Sequence, residues 1–465
     1  MSKKRVAGAG TPRRLANRGA PASGQLINGG GRESNIPKGL AGEDALPAVP
    51  PPRGRDLPAR AIRLRYHRRM TRRGPFRAIL RAAALAAGLF LLAALAIVAT
   101  WMWRGGVEGG LVAAWRLLQN GPTTIDDFRL YPARVLEPAA TPFPFGTRTR
   151  GVAEPPELEV SPGRRLSVSQ LVSATETIAL LVVKDDAIVL ERYATGHGAS
   201  TPSQYFSVTK SILATLVGLA VDDGIIGSID QPVTDFVPEL APHGFAAVRL
   251  RHLADMRSGI DYAENDNPFG LHVLMNYTSD LPRLVREFRL RGTPGGKVEY
   301  KSGDTALLSL ALQRALGKRP IADYAGARLW HALGMEHEAV WSLDREGGME
   351  KAWCCLAGSA RDLAKIGRLH LGRGRVAGRR VLDERWVDEA TRALAPAPAG
   401  AWGYAFSWWR PEREGGEYLA SGKDGQFLFI DPARNVVVVR LGRSDGDLAM
   451  GAWTAVFRSL ARHAW

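Results

Sequence analysis

Apolar and polar positions follow two rhythms along the chain, and the rhythm changes at definable places. Residues 82–103 form a run of 22 without a charge or a proline. About 20 such residues span the hydrocarbon core of a bilayer, so the run predicts a transmembrane helix, placed over 76–104 with its flanks. Trp101 and Trp103 sit at its far end, where aromatic side chains favour the interface. Residues 177–183 and 187–193 are β-rich runs on either side of Lys184-Asp185-Asp186, which predicts a hairpin. Beyond it, Ile212, Leu213, Leu216, Val217, Leu219 and Ala220 recur at helical spacing until Asp222-Asp223-Gly224 stops them. Helical patterns then alternate with loops at 248–256, 281–288, 305–316, 321–333 and 360–371. Strand character returns at 404–409, 427–430 and 436–441, with Asp431-Pro432-Ala433-Arg434-Asn435 as the turn between the last two. An amphipathic helix over residues 447–462 closes the chain. Strands at both ends with helices between them predict an α+β fold. One antiparallel sheet is built from N- and C-terminal strands, flanked by helices, with a mainly helical region inserted.

Charge divides the chain further. Residues 1–81 carry 19 Lys and Arg against 4 Asp and Glu, so nearly all of the formal net charge of +16 lies there. The remainder is close to neutral, which argues against a nucleic-acid-binding main domain. Residues 1–75 are rich in Gly, Pro, Ala and Arg and poor in large apolar side chains, and are expected to be a disordered basic arm. The basic residues before the apolar run place this arm in the cytoplasm and residues 105–465 on the far side of the inner membrane. The dense cluster at 63–73 is then expected to meet anionic headgroups. Residues 105–165 read as a linker. They hold a short amphipathic piece at 111–118, then Gly121-Pro122 and the proline-rich Pro142-Phe143-Pro144-Phe145, and are expected to drape over a folded domain at 166–465.

Cys354 and Cys355 are adjacent, and strained vicinal geometry predicts that they stay unbridged as small core residues. An exported domain without disulfides fits a bacterial envelope. No metal-ligand pattern or cofactor motif is present.

Candidate chemistry begins at Ser207-Val208-Thr209-Lys210. A helix starting near Ser207 sets residues 207 and 210 on one face, so the lysine amine can lie beside the serine oxygen. An alcohol is a weak nucleophile near neutral pH and needs a base within hydrogen-bond reach. The helix N-terminus adds free N–H groups and a positive dipole end. The same four residues also fit an N-capping serine followed by a solvated lysine.

Two further stretches decide between these readings. They are Tyr300-Lys301-Ser302 and Lys423-Asp424-Gly425 followed by Gln426. With Ser207-x-x-Lys210 they resemble, in chain order, the S-x-x-K, Y-x-N/S and K-x-G signatures of the serine β-lactamase and penicillin-binding superfamily. The likeness covers about residues 166–465. It is nearest to the class C-like branch with its esterases and 6-aminohexanoate-oligomer hydrolases, echoed by residues 253–262, 357–367 and 402–404. The resemblance implies an acyl-enzyme on Ser207, with Lys210 and Tyr300 sharing the acid and base work. It also implies an oxyanion hole from the backbone N–H groups of Ser207 and Gln426, on the strand that Gly425 opens. Lys423, Ser302, Asp424 and Tyr262 become candidate substrate contacts, although Tyr262 fits the core equally well. Two departures stand out. Ser302 replaces an asparagine, and Asp424 brings a carboxylate to where a β-lactam's anionic group would bind.

The expected protein is a membrane-anchored hydrolase of a small-molecule ester or amide that uses no cofactor or metal. A peptidoglycan peptidase and a non-catalytic penicillin-binding or sensor module are the alternatives. His252 and His370 read as structural, and Trp408 and Trp409 must point to opposite faces of their strand.

Overall fold

Strand pairing follows the alternating runs. The computed structural model describes residues 74–121, 123–148, 153–392, 402–411 and 416–465; the basic arm and its cluster lie outside them. Eight strands form the main sheet: β1 (Gly146–Thr147), β2 (Thr177–Lys184), β3 (Ala187–Tyr193), β4 (Gly403–Ala405), β5 (Trp408–Arg410), β6 (Tyr418–Gly422), β7 (Gln426–Asp431) and β8 (Val436–Gly442). Their spatial order is β4-β5-β6-β7-β8-β2-β3-β1. All neighbours are antiparallel except the short edge strand β1, which runs parallel to β3. Val438 of β8 lies opposite Val182 of β2, so the C-terminal strands close onto the N-terminal hairpin as the sequence predicts.

Turn chemistry sets the hairpins. Asp185 and Asp186 both take positive φ, 50° and 60°, giving the two-residue turn whose twist matches its strands. The 404–409 run differs from the expectation of one strand. Phe406 and Ser407, at φ 42° and 67°, fold it into the β4–β5 hairpin. Nothing in the apolar pattern marks that turn, because neither residue is a usual left-handed one.

Period-two alternation buries both faces of the sheet. Leu180, Val182, Phe427, Phe429, Val436 and Val438 pack with Trp453, Val456, Phe457 and Leu460 of the C-terminal helix. Their neighbours Leu181, Val183, Leu428, Ile430, Val437 and Val439 join the core shared with the helical region.

The helices used below are α1 (Gly74–Gly105), α2 (Val107–Asn120), α3 (Val208–Asp222), α4 (Leu271–Tyr277), α5 (Ser302–Leu316), α6 (Ala360–Leu371) and α7 (Met450–Arg462). α3 is apolar nearly all round and buried from Val208 to Ala220, which makes it the central helix. α6 lies on the sheet at Gly367, where a Cβ would come within 2.7 Å of Val437. α1 holds a 30-residue apolar segment, Phe76–Gly105, none of whose most hydropathic window is buried.

The 105–165 stretch does more than drape. Ala133–Leu136 pairs with Ala339–Ser342 in a separate four-stranded sheet, and β1 extends the main one. Both strands cover edges that would otherwise be open. The cysteine expectation is corrected: Cys354 and Cys355 are joined to each other. A tight turn brings both of their amides onto the Lys351 carbonyl, at 3.4 and 3.0 Å, and the side chains are held together there. His370 is structural as expected: it lies 2.9 Å from Thr215 Oγ1 and against Trp408, and burial drives its pKa down to about 3.

Candidate active site

Ser207 stands at the head of α3, immediately after Phe206, whose φ of 46° is costly for a non-glycine residue. This kink leaves Ser207 half-buried while Val208 and Lys210 turn into the core. Lys210 Nζ lies 2.7 Å from Ser207 Oγ and donates to the Trp353 carbonyl at 2.8 Å. No carboxylate pairs with Lys210 among the described residues. The Tyr300 ring lies on its other side, 5.1 Å from Nζ to the centroid. Among the described residues the Ser207 N–H meets no acceptor, and Gly422 lies so close that a Cβ there would sit 3.1 Å from it.

Tyr300 precedes α5 and is half-buried, stacked on Trp409 at 5.6 Å and edge-on to Tyr404 at 5.9 Å. Trp408 points the other way, into the core, as strand alternation requires. Ser302 is buried. Its hydroxyl donates to Glu264 Oε1 at 2.5 Å and its N–H to Oε2 at 2.7 Å. The hydroxyl expected to reach a substrate is therefore committed to capping α5, and the carboxylate favours the helix N-terminus. Tyr262 is also buried. Its OH meets His272 Nδ1 at 2.9 Å and its ring lies over Gly303, which places it in the core.

The third motif forms a turn between β6 and β7, with Asp424 at φ 58° and Gly425 at φ 71°. Lys423 donates to the carbonyl and hydroxyl of Thr123, at 2.6 and 3.0 Å. The Asp424 carboxylate lies 3.6 Å from Lys423; burial raises its pKa, Lys423 lowers it, and Asp445 adds to the rise. The Gln426 side chain turns inward and donates to Lys423 O, Asp424 O and Gly442 O, leaving only its backbone to face the site. Beneath the turn lies Arg440, fully buried and, among the described residues, without a carboxylate partner. It donates to Gly425 O at 2.7 Å, Thr175 O at 2.6 Å and Ser444 O at 2.9 Å. Burial pulls its pKa down. Carbonyls thus satisfy a guanidinium that would be very costly to bury alone.

The fold brings Ser207, Lys210 and Tyr300 together and sets Gly422 and the 423–426 turn beside them. Several supporting residues carry no motif signal. Trp353 supplies the carbonyl for Lys210, and its Nε1 donates to Asn276 Oδ1 at 3.1 Å. Lys351 donates to the Asn276 carbonyl at 2.7 Å. Asn276 and His272 lie one turn apart on α4. Burial lowers the His272 pKa most, Glu264 opposes that and Lys210 adds to it. Glu264 was open to discovery in Asp261-Tyr262-Ala263-Glu264, but a carboxylate in a polar loop gives no hint of a partner 38 residues away.

Comparisons with known proteins agree with this geometry. The β-lactamase family model matches residues 167–460. A 6-aminohexanoate-dimer hydrolase of Paenarthrobacter ureafaciens is 30% identical, over 59% of this chain and 74% of the relative. Among solved structures, a Bacillus anthracis protein provisionally named a 6-aminohexanoate-dimer hydrolase superposes with a TM-score of 0.66 at 21% identity. That match covers 73% of this chain and 93% of the other. EstCE1, a hydrolase with promiscuous acyltransferase activity, gives 0.53 at 15% identity over 63% and 96%. At such identities these two likenesses speak to the fold.

One buried group near the site predicts a pH effect. Asp304, in the first turn of α5, accepts from Ser258 Oγ at 2.6 Å, and burial raises its pKa to about 7. The folded state therefore favours its protonated form. The contribution to stability is complete below the ordinary carboxylate value and is lost as pH rises through about 7, a total on the order of 4 kcal/mol. Asp304→Asn does not titrate. Its Tm relative to the unmodified chain, in detergent, is expected to improve between about pH 4 and about pH 8. A difference that stays flat with pH contradicts the buried, proton-binding Asp304.

Proposed function

The chain belongs to the β-lactamase family and is a serine hydrolase; from that premise we propose that it is anchored in the inner membrane and cleaves an ester or amide through an acyl-enzyme on Ser207. The observation that carries this reading is the 2.7 Å contact between Ser207 Oγ and Lys210 Nζ, with Lys210 fixed from behind by the Trp353 carbonyl. Held by that carbonyl, the Lys210 amine is the base within hydrogen-bond reach of the Ser207 hydroxyl. Ser207 Oγ attacks the acyl carbon and its proton passes to Lys210. The N–H groups of Ser207 and Gln426 take the developing oxyanion; one such donor is typically worth about 10²–10³ in rate. Tyr300, beside Lys210, gives a proton to the leaving alcohol or amine and takes one back from Lys210; water then attacks the acyl carbon, its proton passes to Lys210 and from there to Ser207 Oγ, and the acid leaves.

Substrate class follows from the departures in the motifs. Ser302 is committed to Glu264 and Lys423 to Thr123, so neither is free to meet an anionic substrate group. Asp424 adds negative charge to the same turn. A neutral ester or amide therefore fits better than a penicillin. The name of the Paenarthrobacter relative, 6-aminohexanoate-dimer hydrolase, supports the amide half of this reading.

A fluorophosphonate probe is expected to label the full chain, and Ser207→Ala to remove the label while leaving the Tm within a few degrees. Labelling that persists on another serine removes the assignment; no labelling of the unmodified chain favours a binding module instead.

The anchor is supported by the exposed apolar segment of α1 and by the basic residues before it. Protease added to spheroplasts is expected to degrade the hydrolase domain and spare the arm. A protected domain overturns this orientation.

A further inference from the structure

α2 presents an apolar face that no part of the described chain covers. Val107, Leu111, Trp115 and Leu118 recur at the spacing of one helical face and are exposed, Trp115 at 61% and Leu118 at 82%. The opposite face is small and buried: Gly109, Gly110 and Ala113. A Cβ on Gly110 would collide with the backbone of Trp101 and Met102, and one on Gly109 would touch Thr278 just past α4. Arg116, the one basic residue of α2, turns inward and donates to the carbonyls of Tyr277, Thr278 and Asp344. The outward stripe thus carries one charge, that of Glu108 in the first turn, three residues before Leu111 and seven before Trp115. Scattered exposed apolar residues are ordinary, but a stripe is not.

The stripe continues the membrane helix. Only Gly106, at φ 79°, separates α2 from α1, and Trp103 beside the break is 79% exposed. α1 is also fastened to the catalytic domain. Trp101 is wholly buried, with Nε1 donating to the Pro268 carbonyl at 2.5 Å, in the loop between Glu264 and α4. The far end of α2 leads straight to the nucleophile's surroundings. Tyr277 OH donates to Gly121 O, Lys423 to Thr123, and Gln204 N–H to Ile125 O at 3.0 Å. From residue 153 onward, the large apolar side chains left exposed among the described residues are Phe269 and Val298. One follows Pro268 and the other lies two residues before Tyr300.

We propose that α2 lies in the bilayer surface and that Ser207 acts on amphiphilic esters or amides whose apolar chain stays in the membrane. An interfacial helix of this kind buries its apolar face at the boundary between headgroups and acyl chains. With α1 spanning the bilayer and Trp101 docked at Pro268, the neighbouring Phe269 is held near the same surface, so the acyl carbon is offered to Ser207 without full extraction of the tail. The substrate half of this proposal rests on the hydrolase reading above; the placement of α2 rests on the anchor alone.

The test uses the full chain in vesicles of equimolar phosphatidylcholine and phosphatidylglycerol. A nitroxide is placed in turn at Leu111→Cys, Trp115→Cys and Leu118→Cys on the stripe and, as a water-exposed reference on the catalytic domain, at Arg385→Cys. The native cysteines are joined to each other, so each variant offers a single thiol. Collisions with oxygen are expected to dominate at 111, 115 and 118, and collisions with a water-soluble nickel chelate at 385. Chelate dominance at all four sites overturns the placement. So does spin–spin broadening along the stripe, which marks a second copy of the chain as its cover.

Hydrolysis is then compared for p-nitrophenyl decanoate dissolved in the bilayer and p-nitrophenyl acetate in water. Combined Leu111→Ser, Trp115→Ser and Leu118→Ser is expected to lower kcat/KM for the decanoate about tenfold or more and to leave the acetate within about twofold. Equal effects on both esters, or none on either, overturn the substrate half. Bilayer-type collisions in the labelled variants, together with an unmodified chain that cleaves neither ester, uphold the placement and refute the hydrolase reading.

Discussion

Lys210 is the group on which the site depends. Its side chain is almost fully buried, it has no carboxylate among the described residues, and it meets the Ser207 oxygen on one side and the Trp353 carbonyl on the other. A buried amine has to be satisfied by fixed dipoles, because leaving it unpaired is costly. That requirement ties three distant parts of the chain together. α3 carries the lysine, the 351–355 turn supplies the carbonyl, and α4 holds that turn through Asn276. Tyr300, at the head of α5, closes the remaining side.

A buried guanidinium organises the opposite wall. Arg440 reaches from β8 beneath the 423–425 turn and fixes it through backbone carbonyls. A Cβ on Gly425 would collide with its guanidinium, and one on Gly422 would crowd the Ser207 N–H. Glycine at both positions is therefore a condition for bringing the strand end and the nucleophile together. The geometry of the turn comes from packing and hydrogen bonding below it, while Lys423 and Asp424 occupy its outer surface.

The sheet, the central helix and the three motifs were legible because period-two and helical spacing, turn residues and motif order are local signals. Val182 opposite Val438 follows from two alternating runs and one hairpin. The β4–β5 turn was not legible, since Phe406 and Ser407 take left-handed φ only under tertiary constraint. Ser302 shows a different kind of limit. Its position in the motif suggested a substrate contact, but Glu264 takes its hydroxyl, and a pairing across a loop leaves no periodic trace. Trp353 acts through its carbonyl, which every residue possesses, so no side-chain pattern could single it out. The 105–165 stretch looked like a linker because its strands are short and the chain between them is rich in proline, and Ala133–Leu136 and Gly146–Thr147 gain their structure by pairing with edges formed elsewhere.

The central claim is that Lys210, held by Trp353, activates Ser207, and the rate of acylation tests it most directly. The burst of p-nitrophenol from p-nitrophenyl acetate, followed by intact mass of the acylated chain, isolates that step from deacylation. Lys210→Met keeps the packing volume and removes the base, and is expected to slow the burst by about 10²–10⁴-fold while the Tm moves little. A burst within about tenfold of the unmodified chain, with the acyl group still on Ser207, would contradict the account.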